Sequence, residues 1–131
     1  MNDAEWQEIF DMQSDHERSV RSKYHLTLGK LIEILDLYPD FTIEMQAPHS
    51  YRGYYSDLSF EPSHAIEASD LSKILKNNIL NQKLEGYKGG EYLMDEDTPL
   101  WLDYYGEYTG TAIVRIIPVF GSLVIETRVV A

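Results

Sequence analysis

Ala112-Ile113-Val114-Arg115-Ile116-Ile117-Pro118-Val119-Phe120-Gly121-Ser122-Leu123-Val124-Ile125-Glu126-Thr127-Arg128-Val129-Val130 is the stretch whose reading decides the fold class. Two runs rich in β-branched and aliphatic residues flank Gly121-Ser122, a dipeptide suited to a two-residue type II′ turn, so residues 112–120 and 123–130 are predicted to form a β-hairpin. With that turn, position 120 faces 123 and Arg115 falls opposite Arg128 on one sheet face. Like charges so placed destabilise a sheet unless carboxylates interleave, as Glu126 can, or an anion bridges the pair. The plain alternative is a solvated, neutralised face. Pro118 implies an edge position or a bulge.

Upstream of the hairpin the pattern changes period. Thr27 stands as an N-cap before Leu28, Leu31, Ile32 and Leu35, whose i, i+3, i+4, i+7 spacing marks a helix ending near Tyr38, because Pro39 disfavours helical geometry in the residue before it. Asp3 to about Lys23 carries Trp6, Ile9, Phe10, Gln13 and Val20 on a loose helical period. Ser69 is read as the cap of a third helix bearing Leu71, Ile74, Leu75 and Ile79 and ending near Gly86. Between these helices, Phe41-Thr42-Ile43-Glu44-Met45 and Leu58-Ser59-Phe60-Glu61-Pro62 alternate as half-buried strands joined by a hairpin connection, and Thr98 to Asp103 reads as a short strand. The expectation is one α+β domain over residues 1–131, an antiparallel sheet with about three helices packed on one face.

Composition narrows the function. The chain has 131 residues, a mass of 15.2 kDa and a net charge of −11, from 22 acidic against 11 basic residues. Such a field repels polyanions and acidic membrane surfaces, so duplex nucleic acid is excluded as a partner, whereas a small anion held by two or three local cations is not. No cysteine is present, which removes disulfides, thiol nucleophiles and cysteine-ligated metals. The acidic start and the lack of a long apolar run predict no signal peptide and no membrane span.

The tyrosines are concentrated. Pro48-His49-Ser50-Tyr51-Arg52-Gly53-Tyr54-Tyr55 and Gly86-Tyr87-Lys88-Gly89-Gly90-Glu91-Tyr92, with Tyr104-Tyr105-Gly106-Glu107-Tyr108, hold eight of the ten. Flat rings stack on flat ligands, Arg52 and Lys88 hold phosphate or carboxylate, and Gly89-Gly90 lets backbone N–H groups approach a ligand closely. The same residues are also ordinary hairpin-turn chemistry, with tyrosine on a sheet face and glycine at positive φ. On the recognition reading His49, Ser50, Tyr51, Arg52, Tyr54, Tyr55, Tyr87, Lys88, Gly89, Gly90 and Tyr92 bind a small anionic ligand, with Arg115 and Arg128 as a further anion site. No cofactor or metal is expected. His16, His25, His49 and His64 have no i, i+4 partner, and Asp95-Glu96-Asp97 lacks the spacing of a calcium loop and reads as a solvated acidic turn.

His49 to Tyr55 with the trailing Leu58-Ser59-Phe60-Glu61-Pro62, and Glu85 to Tyr92 after a Leu-rich helix, resemble a widespread family of small phage-encoded proteins carrying a similar pair of motifs. The family resembles in turn the phage counter-defence sponges directed against CBASS signalling. That resemblance implies a homo-oligomer in the host cytoplasm that binds a cyclic di- or trinucleotide messenger without cleaving it. Two aromatic windows on separate hairpins are most easily brought around one ligand across a subunit boundary, which points the same way. Two other classes stay open. One is an acidic inhibitor of a host defence protein such as a nuclease complex, with the windows as contact hot spots. The other is a small nucleotide hydrolase with His49 as general acid or base.

Overall fold

The computed structural model describes residues 16–86, 89–104 and 107–130, and of residues 104 and 107–109 the backbone alone. Residues 16–24 are helical and form the described part of α1; the start of the predicted first helix, with Trp6, Ile9, Phe10 and Gln13, lies outside the described residues. Then follow α2 (Leu28–Leu37), β1 (Thr42–Ser50), β2 (Leu58–Glu67), α3 (Ala68–Asn78), β3 (Gln82–Glu85), β4 (Glu91–Met94), β5 (Leu100–Tyr104), β6 (Glu107–Val119) and β7 (Ser122–Val129). No described helix is long and apolar enough to cross a membrane.

The α+β class holds, but the sheet is mixed. Strands β1-β2-β5-β6-β7 close into a barrel, and β3–β4 form a separate two-stranded sheet. The β1–β2, β5–β6 and β6–β7 pairs are antiparallel, whereas β2–β5 and β1–β7 are parallel. Parallel neighbours need a long crossover, and α3 with the β3–β4 hairpin supplies it between β2 and β5. Period-2 alternation, reset in β6 by the bulge between Ile113 and Arg115, sends Ile43 and Met45, Leu58 and Phe60, Leu100 and Leu102, Ile113, Ile116 and Leu123 into one core with Leu28, Leu31, Ile32 and Leu35 of α2 and Leu71 and Leu75 of α3. Trp101, between Leu100 and Leu102, packs with Tyr51 and Ala112 in a second small core. His25, just after α1, meets the Trp101 ring edge-on at 4.6 Å. His25 therefore lies on the face of β5 that carries Trp101, opposite the one that Leu100 and Leu102 turn to the main core.

Helix ends depart from the predicted caps. Thr27 is the N-cap of α2 in extended geometry, but its hydroxyl does not cap the helix. The acidic loop does that work through its backbone: Leu28 N–H donates to Thr98 O and Gly29 N–H to Glu96 O, both at 2.9 Å. A Cβ on Gly29 would lie 3.0 Å from Glu96 Cβ, so this close approach favours glycine. Asp95 is held by Arg18 at 3.0 Å, so the loop is anchored rather than merely solvated. In α3, Glu67 is the N-cap and Ser69 lies inside the helix. Ile74, assigned to the apolar stripe, is 38% exposed, while Ser72 is buried and donates to Asp36 Oδ1 of α2 at 2.6 Å. The helix stops at Asn78 rather than near Gly86, because Asn81 takes φ +60° and redirects the chain into β3.

The C-terminal hairpin forms with a different turn. Phe120 and Gly121, with φ +43° and +85°, occupy the central positions, as a type I′ turn requires. Val119 therefore faces Ser122, and a bulge between Ile113 and Arg115 shifts the ladder again. Arg115 lies opposite Glu126 and is hydrogen-bonded to it, and Arg128 lies opposite Ala112. The expected Arg115–Arg128 opposition does not arise, and with it goes the anion site inferred from like charges.

Candidate functional site

The connection between β1 and β2 contains most of the first tyrosine window and is folded around a buried carboxylate. Asp57 is fully buried. Arg21 grips it with Nε–Oδ2 at 2.7 Å and Nη2–Oδ1 at 3.0 Å, and Trp101 Nε1–H donates to Oδ2 at 2.9 Å. The guanidinium also lies 3.8 Å over the Tyr54 ring. Planar, weakly hydrated arginine suits both partners at once.

Two predicted ligand residues are thereby reassigned. Tyr51 is fully buried, stacked on Trp101 at 4.2 Å with 7° between the ring planes, and its hydroxyl accepts from Gly110 N–H at 3.2 Å. That ring face is taken, so Tyr51 is core rather than a platform for a base. Ser50 is buried and donates to Tyr55 O at 2.6 Å, closing the loop. Tyr54 is 42% exposed, yet one face carries Arg21 and its neighbours are Tyr51 and Trp101. It fastens the α1 region to the loop.

His49 sits at the end of a bulge. The β1–β2 register shifts between Gln46 and His49, where Ala47 adopts φ +55°, a conformation few non-glycine residues take without surrounding constraint. The bulge aims both ring nitrogens at acceptors: Nδ1–H donates to Ala47 O at 2.7 Å and Nε2–H to Asp103 Oδ2 at 3.0 Å. Satisfying both requires the doubly protonated ring. The Asp103 hydrogen bond raises the His49 pKa above its ordinary value, partial burial opposes this, and the Ala47 carbonyl adds to it. Asp103 itself is fully buried, and its Oδ1 has no hydrogen-bond partner among the described residues.

This arrangement has a pH signature. The folded ring holds its proton more tightly than the unfolded one, so its stabilisation is complete below the ordinary histidine value of 6.5 and is lost as pH rises through the higher folded value. Burial of His25 shifts that ring the opposite way, so His49 must be isolated by difference. The stability gap between the parent and His49→Gln is expected to be largest near pH 6 and to shrink as pH rises. Urea melts across that range check it, and a gap independent of pH would show that the pair is neutral.

The second window forms the β3–β4 turn. Gly86 N–H donates to Gly90 O at 2.9 Å and Gly89 N–H to Gly86 O at 3.0 Å, with Gly89 at φ +93° and Gly90 at φ +80°. Tyr92 folds back over this turn so closely that a Cβ on Gly86 would lie 2.7 Å from its ring. Tyr87 and Lys88 lie outside the described residues, as do Tyr105 and Gly106 of the third cluster. The half-buried rings of Tyr92 and Tyr55 meet at 6.0 Å, inclined by 55°. The two windows are therefore neighbours within one chain, and no subunit boundary is needed to join them. Arg52, half-buried, belongs to the same loop as Tyr55.

Arg21, Asp57, Trp101 and Asp103 shape this region, and because they come from α1, the loop and β5 no single run of sequence groups them. Alternation of Trp101 and Asp103 against Leu100 and Leu102 was the available hint that β5 has a second buried face. The chain matches no protein-family model, no curated protein and no solved structure.

Proposed function

We propose that the protein captures a small planar anion, of the cyclic di- or trinucleotide class, at the junction of the β1–β2 loop and the β3–β4 turn, and releases it unchanged. The observation that carries this reading is the meeting of the two windows through Tyr55 and Tyr92. Arg52, from the same loop as Tyr55, is the cation assigned to the ligand, His49 stands at the end of β1, and the β3–β4 turn supplies backbone, while Tyr87 and Lys88 are assigned from the sequence alone. Both His49 ring nitrogens already have protein acceptors, which weighs against its use as a general base and hence against a hydrolase. With the motif resemblance, the reading extends to a phage counter-defence sponge acting in the host cytoplasm on an immune messenger. Titration calorimetry with cyclic di- and trinucleotides and cyclic ADP-ribose isomers tests it. Saturable binding of one class at micromolar or tighter Kd is expected, and absence of heat with every ligand would defeat it.

A further inference from the structure

The barrel closes through a short seam. β7 pairs with β1 only at Thr42↔Ser122 and Ile43↔Leu123, and beyond Leu123 its outer edge has no ladder partner among the described residues. The strands splay there around a groove of about 460 Å³ lined by Thr42, Glu44, Leu102 and Leu123 to Ile125. Barrels remove edges only where their strands pair, and an unpaired edge is a template for another strand. Three valines of this segment are exposed, Val124 at 47%, Val129 at 77% and Val130 at 44%, with Glu126, Thr127 and Arg128 between them.

We propose that β7 pairs antiparallel with its own copy, forming a two-fold dimer centred on Thr127. The sequence is self-complementary in that register. Glu126 falls opposite the partner's Arg128 and Arg128 opposite the partner's Glu126, while Val124 meets the partner's Val130 and Ile125 the partner's Val129. Two-fold registers centred on Glu126 or on Arg128 set like charges against each other, which charge complementarity disfavours. The carboxylate of Glu126, hydrogen-bonded to Arg115 within its own chain, retains an oxygen for the second arginine. Such an interface is isologous, as two-fold symmetry demands. The proposal is independent of the ligand reading, since the two windows already meet within one chain.

Thr127→Cys tests the register directly. The chain contains no other cysteine, and residues facing each other across an antiparallel pair have Cα atoms about 4.5–5.5 Å apart, within disulfide reach. Under mild oxidation Thr127→Cys is expected to crosslink nearly completely while Ser122→Cys does not. Light scattering of the unmodified protein should give twice the 15.2 kDa chain mass, and Arg128→Glu should raise the dimer dissociation constant at least tenfold. A monomeric mass at all concentrations overturns the proposal. So does a dimer in which Thr127→Cys crosslinks no faster than Ser122→Cys, or in which folded Arg128→Glu dimerises as tightly as the parent. Circular dichroism establishes folding of each variant, and the crosslinking comparison alone decides if Arg128→Glu is unfolded.

Discussion

Asp57→Ala is expected to destabilise the fold by about 3–5 kcal/mol, the usual cost of removing one partner from a buried ion pair. The carboxylate accepts from Arg21 twice and from Trp101 Nε1 once, and its own side chain is fully buried. Alanine leaves the guanidinium without its carboxylate and the indole N–H without an acceptor. It also releases Arg21 from its place over Tyr54, so α1 loses its hold on the loop. For a domain of this size the loss corresponds to a fall in Tm on the order of 10–20 °C. Scanning calorimetry reads it, and a shift of only one or two degrees would mean that the clasp contributes little.

Arg52→Ala is the complementary case, with its effect on binding instead of stability. A planar guanidinium can hold a phosphate with two parallel hydrogen bonds. Removing it is expected to weaken binding of the captured nucleotide at least tenfold, about 1.4 kcal/mol, with a smaller loss of Tm than Asp57→Ala causes. Arg52 lies in the same loop as Asp57, so the pair of variants separates holding the loop from holding the ligand. Unchanged affinity with a Tm several degrees lower would make Arg52 a structural residue.

Local periodicity made much of the fold legible. The stripe Leu28, Leu31, Ile32, Leu35 is buried as its spacing requires, and the β1–β2 and β6–β7 hairpins lie where alternation places them. What stayed hidden depends on contacts distant in sequence. Closure of the barrel rests on β2 meeting β5 and β1 meeting β7, and hydrophobic alternation is the same for parallel and antiparallel partners. The hairpin register turned on one residue: Phe120 accepts positive φ, which aromatic side chains rarely do, and the turn moved off Gly121-Ser122. Residues 82–85 continue the polar and apolar mixture of α3, so only the backbone at Asn81 separates helix from strand.

The site was legible as a composition and not as a division of labour. Tyr55 and Tyr92 meet at one junction with their rings half-buried, whereas Ser50 and Tyr51 are internal, Tyr54 is engaged by Arg21, and both His49 ring nitrogens are taken by Ala47 O and Asp103. A window rich in tyrosine does not say which rings face inward. That follows from Trp101 and Asp57, which draw Tyr51 and Arg21 into a second core.

Chemical recovery of the captured ligand tests the central claim most directly. Purified protein is incubated with cyclic di- and trinucleotides, washed and heat-denatured, and the released material is separated by chromatography. The account predicts one cyclic nucleotide recovered intact in stoichiometric amount; linear product at more than one turnover per chain, or no nucleotide retained, would contradict it.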